Sequence, residues 1–389
     1  MDSIGEAAFD YQFGALSQAN NEFMKAYFGL MSDTLGSPPK SSIFMQTILP
    51  IWALQLMSKF SRRRNLVHAR HTAKLANEVA RTLIKSKAGA LLLGRNNRDI
   101  LSLLGEFYSI ILSINLTATA VKANASEDKA TKLTDEEMLA QMRTILLAGH
   151  ETSATSLCWV LLELARHPKF QDRLRAEIRA TEISSGRKYS SFTASDLDGM
   201  QYLAAILKES MRFHPALYQN YRQAANDDVL PLSTPIKTAT GESLNSLPIP
   251  KGMKVILSIA AYHRNKDIFG EDADVFNPER WFRKTDEKKG PTLGVYGNLY
   301  FSSSSSKEMP DEIQRLTFAG GIRACIGWRF ALYEVQSLTV EIISNFELLP
   351  TPQLERLRRE ACLVMIPTLE GEELQGENLP LRVKLVQSY

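Results

Sequence analysis

Phe318-Ala319-Gly320-Gly321-Ile322-Arg323-Ala324-Cys325-Ile326-Gly327 is the stretch on which the reading of this chain turns. It holds one cysteine framed by glycines. Gly320 and Gly321 allow a tight turn that a β-carbon would obstruct, and Gly327 lets the backbone pass close to whatever Cys325 binds. Arg323, two residues before the sulfur, carries a rigid fork of donors suited to a carboxylate. Trp328, Phe330, Ala331 and Val335 follow with helical spacing. A loop that presents a thiolate beside a cation, just ahead of a helix, suits a flat anionic metal cofactor. The alternative for a lone cysteine is a small buried hydrophobe.

Phe318, Gly321, Arg323, Cys325 and Gly327 together match Phe-x-x-Gly-x-Arg-x-Cys-x-Gly without departure, and the stretch resembles the haem-binding loop of the cytochrome P450 family. The resemblance implies haem b held by the axial thiolate of Cys325, with Arg323 directed at a propionate. It also directs attention to Ala148-Gly149-His150-Glu151-Thr152-Ser153. Glycine and a β-branched alcohol are poor choices in mid-helix, so their cluster suggests a local distortion; the alternative is a threonine that bonds its own backbone. Ala-Gly-x-Glu-Thr-Ser resembles the family's oxygen-activating helix, in which Gly149 would leave room for dioxygen while Thr152 and Glu151 would deliver protons.

Composition allows this and excludes other classes. The chain has 389 residues, 44% apolar and 23% charged, which is ordinary for a globular protein. A net charge of +3 is too small and too mixed to imply a nucleic-acid partner, and Arg62-Arg63-Arg64 reads as solvated surface. Three cysteines, Cys158, Cys325 and Cys362, are too widely spaced for a disulfide framework or a zinc site. Met1 to Asn20 lacks a basic start followed by an apolar run, so neither a signal peptide nor an anchor is expected there. Ile43 to Met57 is the most apolar early segment. It reads as a buried helix or loop, or as a surface that dips into a membrane interface.

Helical periodicity dominates the first third: Ile4 to Met31, then, after Gly36-Ser37-Pro38-Pro39, a basic amphipathic segment from Ser61 to Leu93. Thr134-Asp135-Glu136-Glu137 is a capping signature that should open a long helix ending at Arg166, before Pro168. Leu203 to Phe213 reads as a helix with Glu209 and Arg212 one turn apart. Asp227 to Ser258 reads as β-hairpins, with Ile249-Pro250-Lys251-Gly252 turning into Val255-Ile256-Leu257. Alternate apolar residues from Leu379 to Val386 give a last strand, near the substrate pocket.

The family's Glu-x-x-Arg resembles Lys208-Glu209-Ser210-Met211-Arg212-Phe213-His214-Pro215, and its third charged partner resembles Arg280 in Phe276-Asn277-Pro278-Glu279-Arg280-Trp281. Glu209, Arg212 and Arg280 would then form one buried network that fixes the cysteine loop. Arg222 stands where the family places a second propionate arginine; a surface arginine is the alternative.

The expected fold is therefore a helix-rich α+β cytochrome P450 fold with small sheets, one domain over residues 1–389, of fungal type. It lacks the family's N-terminal anchor and first sheet. Residues 105–121 and 300–315 look inserted, a pattern that unspliced introns or a truncated gene model would produce. The resemblance implies a monooxygenase that inserts one oxygen atom from O2 into an apolar small molecule, by hydroxylation or epoxidation, in terpenoid-like secondary metabolism. NADPH would act through a cytochrome P450 reductase, at the cytoplasmic side of the endoplasmic reticulum, with peripheral membrane contact, or in the cytoplasm if no anchor exists. Two rivals are an inactive, haem-poor fragment that acts as a binding protein and a peroxide-rearranging haem enzyme, which Thr152 disfavours.

Overall fold

A computed structural model describes residues 1–9, 12–15, 49–62, 66–67, 70–75, 77–78, 81, 135–282, 316–319 and 324–386. The apparent insertions at 105–121 and 300–315 lie outside these residues, as do Gly320, Gly321 and Arg323.

The organising element is the long helix α3 (Asp135–Arg166), which follows α1 (Asp2–Phe9) and α2 (Ile51–Phe60). It starts one residue after Thr134 and stops two residues before Pro168, as the capping signature and the proline require. Residues 143–166 are apolar and long enough to cross a membrane. Here they form the centre of the fold, because Leu146, Trp159, Val160, Leu162, Leu164 and Ala165 are all buried.

Further helices pack around α3. Pro168 is the first residue of α4 (Pro168–Ser185), whose missing N–H costs nothing at that position, and Gly186 ends it at φ 67°. The short α5 (Ala194–Gly199) opens with a reciprocal Thr193–Asp196 capping box. In α6 (Gln201–Phe213) almost every side chain is buried, Glu209 and Arg212 included. The Glu177 carboxylate of α4 accepts from the N–H groups of Tyr202 (2.7 Å) and Leu203 (2.9 Å), satisfying donors at the start of α6 that the helix itself cannot. Leu332, Val335, Val340 and Ile343 of α7 (Trp328–Asn345) close the same core against Val160, Leu164, Leu203, Ile206 and Leu207.

Among the described residues, eight strands form four two-stranded antiparallel ribbons. β1 (Gln219–Gln223) pairs with β4 (Lys254–Ser258), β2 (Asp228–Lys237) with β3 (Ser243–Ile249), β5 (Phe346–Pro350) with β8 (Leu381–Leu385), and β6 (Leu357–Ala361) with β7 (Met365–Leu369). The expected final strand is present as β8, with Val383 and Leu385 exposed.

Two expectations need correction. Ile249 and Val255–Leu257 do not form one hairpin. The Pro250–Gly252 turn is tied instead to the β1–β2 connection, by Gly252 N–H to Ala224 O (2.9 Å) and Lys251 N–H to Asp227 Oδ1 (2.7 Å), so β4 runs beside β1. The apolar segment before residue 58 is helical from Ile51, but α2 is not buried: Trp52 is 68% and Phe60 74% exposed, with Leu56 between them. Spacing of four puts these three on one stripe, which nothing among the described residues covers. Arg70 donates to Ser58 O (2.6 Å), Lys59 O (2.5 Å) and Ser61 O, satisfying the carbonyls at the C-terminus of α2.

Candidate haem-thiolate site

Cys325 lies directly before α7. Its N–H donates to Phe318 O (2.7 Å), closing the loop on itself, and Ala319, just after Phe318, takes a positive φ of 57°. Phe318 packs against the main core, so the loop is anchored from below. The Cys325 residue is exposed, yet its thiol is flanked closely enough for burial to push it up, while the Gly327 N–H bonded to it pulls the other way. That N–H stands at the N-terminal end of α7, where the helix dipole favours a thiolate. A β-carbon on Gly327 would meet no atom within 4 Å, so the backbone there borders open space. A thiol in an exposed residue, beside open space at a helix N-terminus, fits a ligand of haem iron. Cys158 and Cys362 are also free thiols; burial pushes Cys158 up to about 12, unsuited to a thiolate.

Glu209, Arg212 and Arg280 meet in one buried network. Glu209 accepts from Arg212 Nε (3.0 Å) and Nη2 (2.8 Å), from Arg280 Nε (3.0 Å) and from Trp281 Nε1 (3.1 Å). Arg212 spends its remaining donors on the carbonyls of His263, Ala273 and Val275, and Arg280 on Phe269 O, Asp272 O and Asp272 Oδ1. Two guanidinium groups on one carboxylate leave a positive charge that Asp272 and the carbonyls balance, which makes so buried a cluster tolerable.

On α3, Thr152 is half-buried and its hydroxyl donates to Ala148 O (2.7 Å), the backbone partner that sequence reasoning had left as the alternative. Gly149 has a different neighbour from the one expected: a β-carbon there would lie 2.7 Å from Ile4 Cδ1, so the close approach that this glycine permits in the structure is that of α1. Glu151 is buried, and burial first, then the charge of Glu377, pushes its carboxyl up to about 7, partly opposed by the Met1 amino group. Arg222 sits exposed on β1, with Asn220 Oδ1 (2.6 Å) and Tyr221 O (2.9 Å) as acceptors.

Sequence reasoning missed a second buried cluster. His214, read only as the end of α6, stacks on Trp159 with ring centroids 4.4 Å apart. Its Nε2 lies 2.7 Å from Glu163 Oε1 and its Nδ1 accepts from Arg359 Nε (3.1 Å). Arginine can only donate, so the imidazole proton is on Nε2 and is given to Glu163. The partners lie 51 and 145 residues away, beyond the reach of any local spacing rule.

The cytochrome P450 family model matches residues 1–371. Among curated relatives, the chain is 30% identical over 390 residues to cytochrome P450 monooxygenase claP of Ampulloclitocybe clavipes, covering 100% of this chain and 65% of that protein. It is 31% identical over 389 residues to cytochrome P450 monooxygenase 128 of Postia placenta, covering 99% of this chain and 65% of the relative. Ganoderic acid synthetase of Ganoderma lucidum is 31% identical over 406 residues, covering 99% of this chain and 66% of its own length. The chain thus spans about 65% of the length of the relatives it matches. By the match over nearly all of its length and by the cysteine loop that the match contains, this chain belongs to the cytochrome P450 family.

Proposed function

We propose that this chain carries the haem-thiolate centre of a monooxygenase that inserts one atom of O2 into an apolar small molecule. The carrying observation is Cys325, an exposed residue beside open space at the N-terminus of α7, in a chain of this family. When bound, haem with an axial thiolate supplies the O2 chemistry, because the thiolate pushes electron density toward oxygen and favours O–O cleavage.

The chain's own residues do the rest. Cys325 holds the iron, Gly327 leaves room beside it, and Phe318 ties the loop to the core. Arg323 and Arg222 would bind the propionates. The Glu209–Arg212–Arg280 network keeps the loop's foundation fixed. Glu151, a carboxyl with an affinity for protons near neutral pH, and the Thr152 hydroxyl next to it in sequence on α3 would hold and pass the protons that this chemistry consumes. Reducing equivalents would come from NADPH through a reductase. The name of one similar protein, ganoderic acid synthetase, supports a secondary-metabolite substrate, and we take it to be terpenoid-like.

The test is the reduced carbon-monoxide difference spectrum of the haem-loaded chain. A red-shifted thiolate band is expected, lost in Cys325→Ala. A chain that takes up no haem, or a band that survives this substitution, would overturn the reading.

A further inference from the structure

The corner at which α6 ends, formed by Phe213 and His214, gathers arginines from three separate parts of the chain. Arg264, directly after the short helix Ile259–His263, lies over the Phe213 ring with its guanidinium carbon 4.3 Å from the centroid. Arg359 of β6 lies 5.0 Å from the same centroid. Arg166, the last residue of α3, stands 3.5 Å from Glu163 Oε1, the atom that also takes the His214 Nε2 proton at 2.7 Å. Phe213 and His214 meet edge to face, so the arginines surround one packed pair of rings.

Their hydrogen bonds leave this corner short of acceptors. Arg264 donates through Nη2 to Phe213 O (3.0 Å) and through Nη1 to Asp274 Oδ1 (3.0 Å), a carboxylate that is itself 60% exposed. Arg359 donates through Nε to His214 Nδ1 (3.1 Å), and among the described residues nothing accepts from its Nη groups. The residue is exposed, so its inner nitrogen is fixed on a buried imidazole while its outer fork faces solvent. Glu163 cannot serve that fork: it is buried behind His214 and is already shared with Arg166 and His167. Burial, and after it the charge of Arg264, pulls the Arg359 guanidinium down to about 10, with Glu163 opposing and Arg166 adding to the effect. A neutral donor would hold the His214 tautomer equally well. A cation held beside two others is tolerated at this cost only where an anion can join it.

We propose that the outer face of this corner binds a phosphate group carried on a small soluble molecule, gripped by the free fork of Arg359 with Arg166 and Arg264 flanking it. A guanidinium fork matches two oxygens of a phosphate, and its planar donors are already oriented by the Nε bond to His214. The flanking arginines are partly exposed, 39% and 27%, so their charges reach the same hollow without closing it. The site uses no residue of the cysteine loop and does not rest on the monooxygenase reading. An anion bound here would tie the ends of α3 and α6 to β6, so its binding stabilises the folded chain by mass action.

The experiment is a titration of the full chain with inorganic phosphate at constant ionic strength, read by calorimetry and by melting temperature, with chloride and acetate as comparison anions. Phosphate should give saturable heat and a saturating rise in melting temperature, chloride neither, and acetate a weaker response. Arg359→Gln should weaken phosphate binding by about tenfold or more, as loss of charge-assisted hydrogen bonds does. Arg166→Gln should weaken it too, and because that side chain makes no bond to His214 it carries the test if Arg359→Gln does not fold. Arg358→Gln, in the neighbouring residue that pairs with Glu370, should leave the affinity unchanged. A phosphate response no larger than that of chloride, or an affinity that survives these two substitutions, would overturn the site. Equal weakening by Arg358→Gln would reduce it to diffuse surface charge, and equal affinity for acetate would overturn the assignment to phosphate.

Discussion

Glu209 is the residue on which most charge converges. Its two oxygens take bonds from Arg212, Arg280, Trp281 and the Asn277 N–H, all from inside the protein. Removing this one carboxylate leaves two guanidinium groups buried without it, and breaking a buried ion pair costs about 3–5 kcal/mol. Glu209→Ala is therefore expected to unfold at clearly lower denaturant concentration and to yield little haem-loaded protein. Urea melts and pyridine-haemochrome yields would check it, and an unchanged midpoint would show that the network carries no stability. This cluster was legible only through the family resemblance of Glu209, Arg212 and Arg280, because a glutamate and an arginine one turn apart on a helix ordinarily sit on a solvated face. Glu163, His214 and Arg359 were not, since three ordinary residues in unrelated segments meet only once α3, α6 and β6 are packed together.

At the scale of elements, the contact between α1 and α3 depends on a missing side chain. Gly149 admits Ile4 so closely that an alanine β-carbon would fall inside its van der Waals radius. Ile4 is 5% exposed and has little room to withdraw. Overpacking of this kind costs about 1–3 kcal/mol. Gly149→Ala is expected to lower the melting temperature and loosen α1, read as faster amide exchange over Ile4 to Phe9. Unchanged exchange there would show that Ile4 simply turns aside. The long helices were readable because caps, prolines and periodicity agree at their ends: α3 and α6 fall within two residues of their expected limits. Strand partners were less readable. β4 looked like the return arm of β3, but hydrogen bonds from the turn to Ala224 and Asp227 decide otherwise, and those acceptors lie about 25 residues upstream. The stripe of α2 misled in another way, since periodicity shows that a face exists and not whether anything covers it.

At the scale of the whole molecule, the buried imidazoles set the response to acid. Burial pulls His214 down to about 4 and His263 to about 3, from an ordinary value of 6.5. Glu163 points the same way: burial pushes it up, but the His214 hydrogen bond and the charges of His214, Arg166 and His167 bring it below its usual value. In each case the unfolded chain binds more protons than the folded one, so stability is present above about pH 6.5 and is lost as pH falls toward 4. Each histidine can contribute a few kcal/mol to that loss, at about 1.4 kcal/mol for every tenfold change in proton affinity between the folded and unfolded chain. Thermal melts between pH 7 and pH 4 should show a steep decline that is shallower in His214→Gln, and a flat profile would contradict the neutral, bonded imidazole described above.

The Trp159 indole gives its N–H to Met365 O (2.9 Å), 206 residues further along, and Gln171 bonds both Leu348 O (3.0 Å) and Leu348 N–H (2.8 Å). The central helix and α4 thus take partners from segments about two hundred residues further along the chain. During synthesis α3 must persist with its apolar sides uncovered while some two hundred further residues emerge, an interval in which it is a target for chaperones and for aggregation. Completion of this packing therefore waits on the ribbons β5–β8 and β6–β7, and shielding of the Trp159 ring marks the moment at which they arrive.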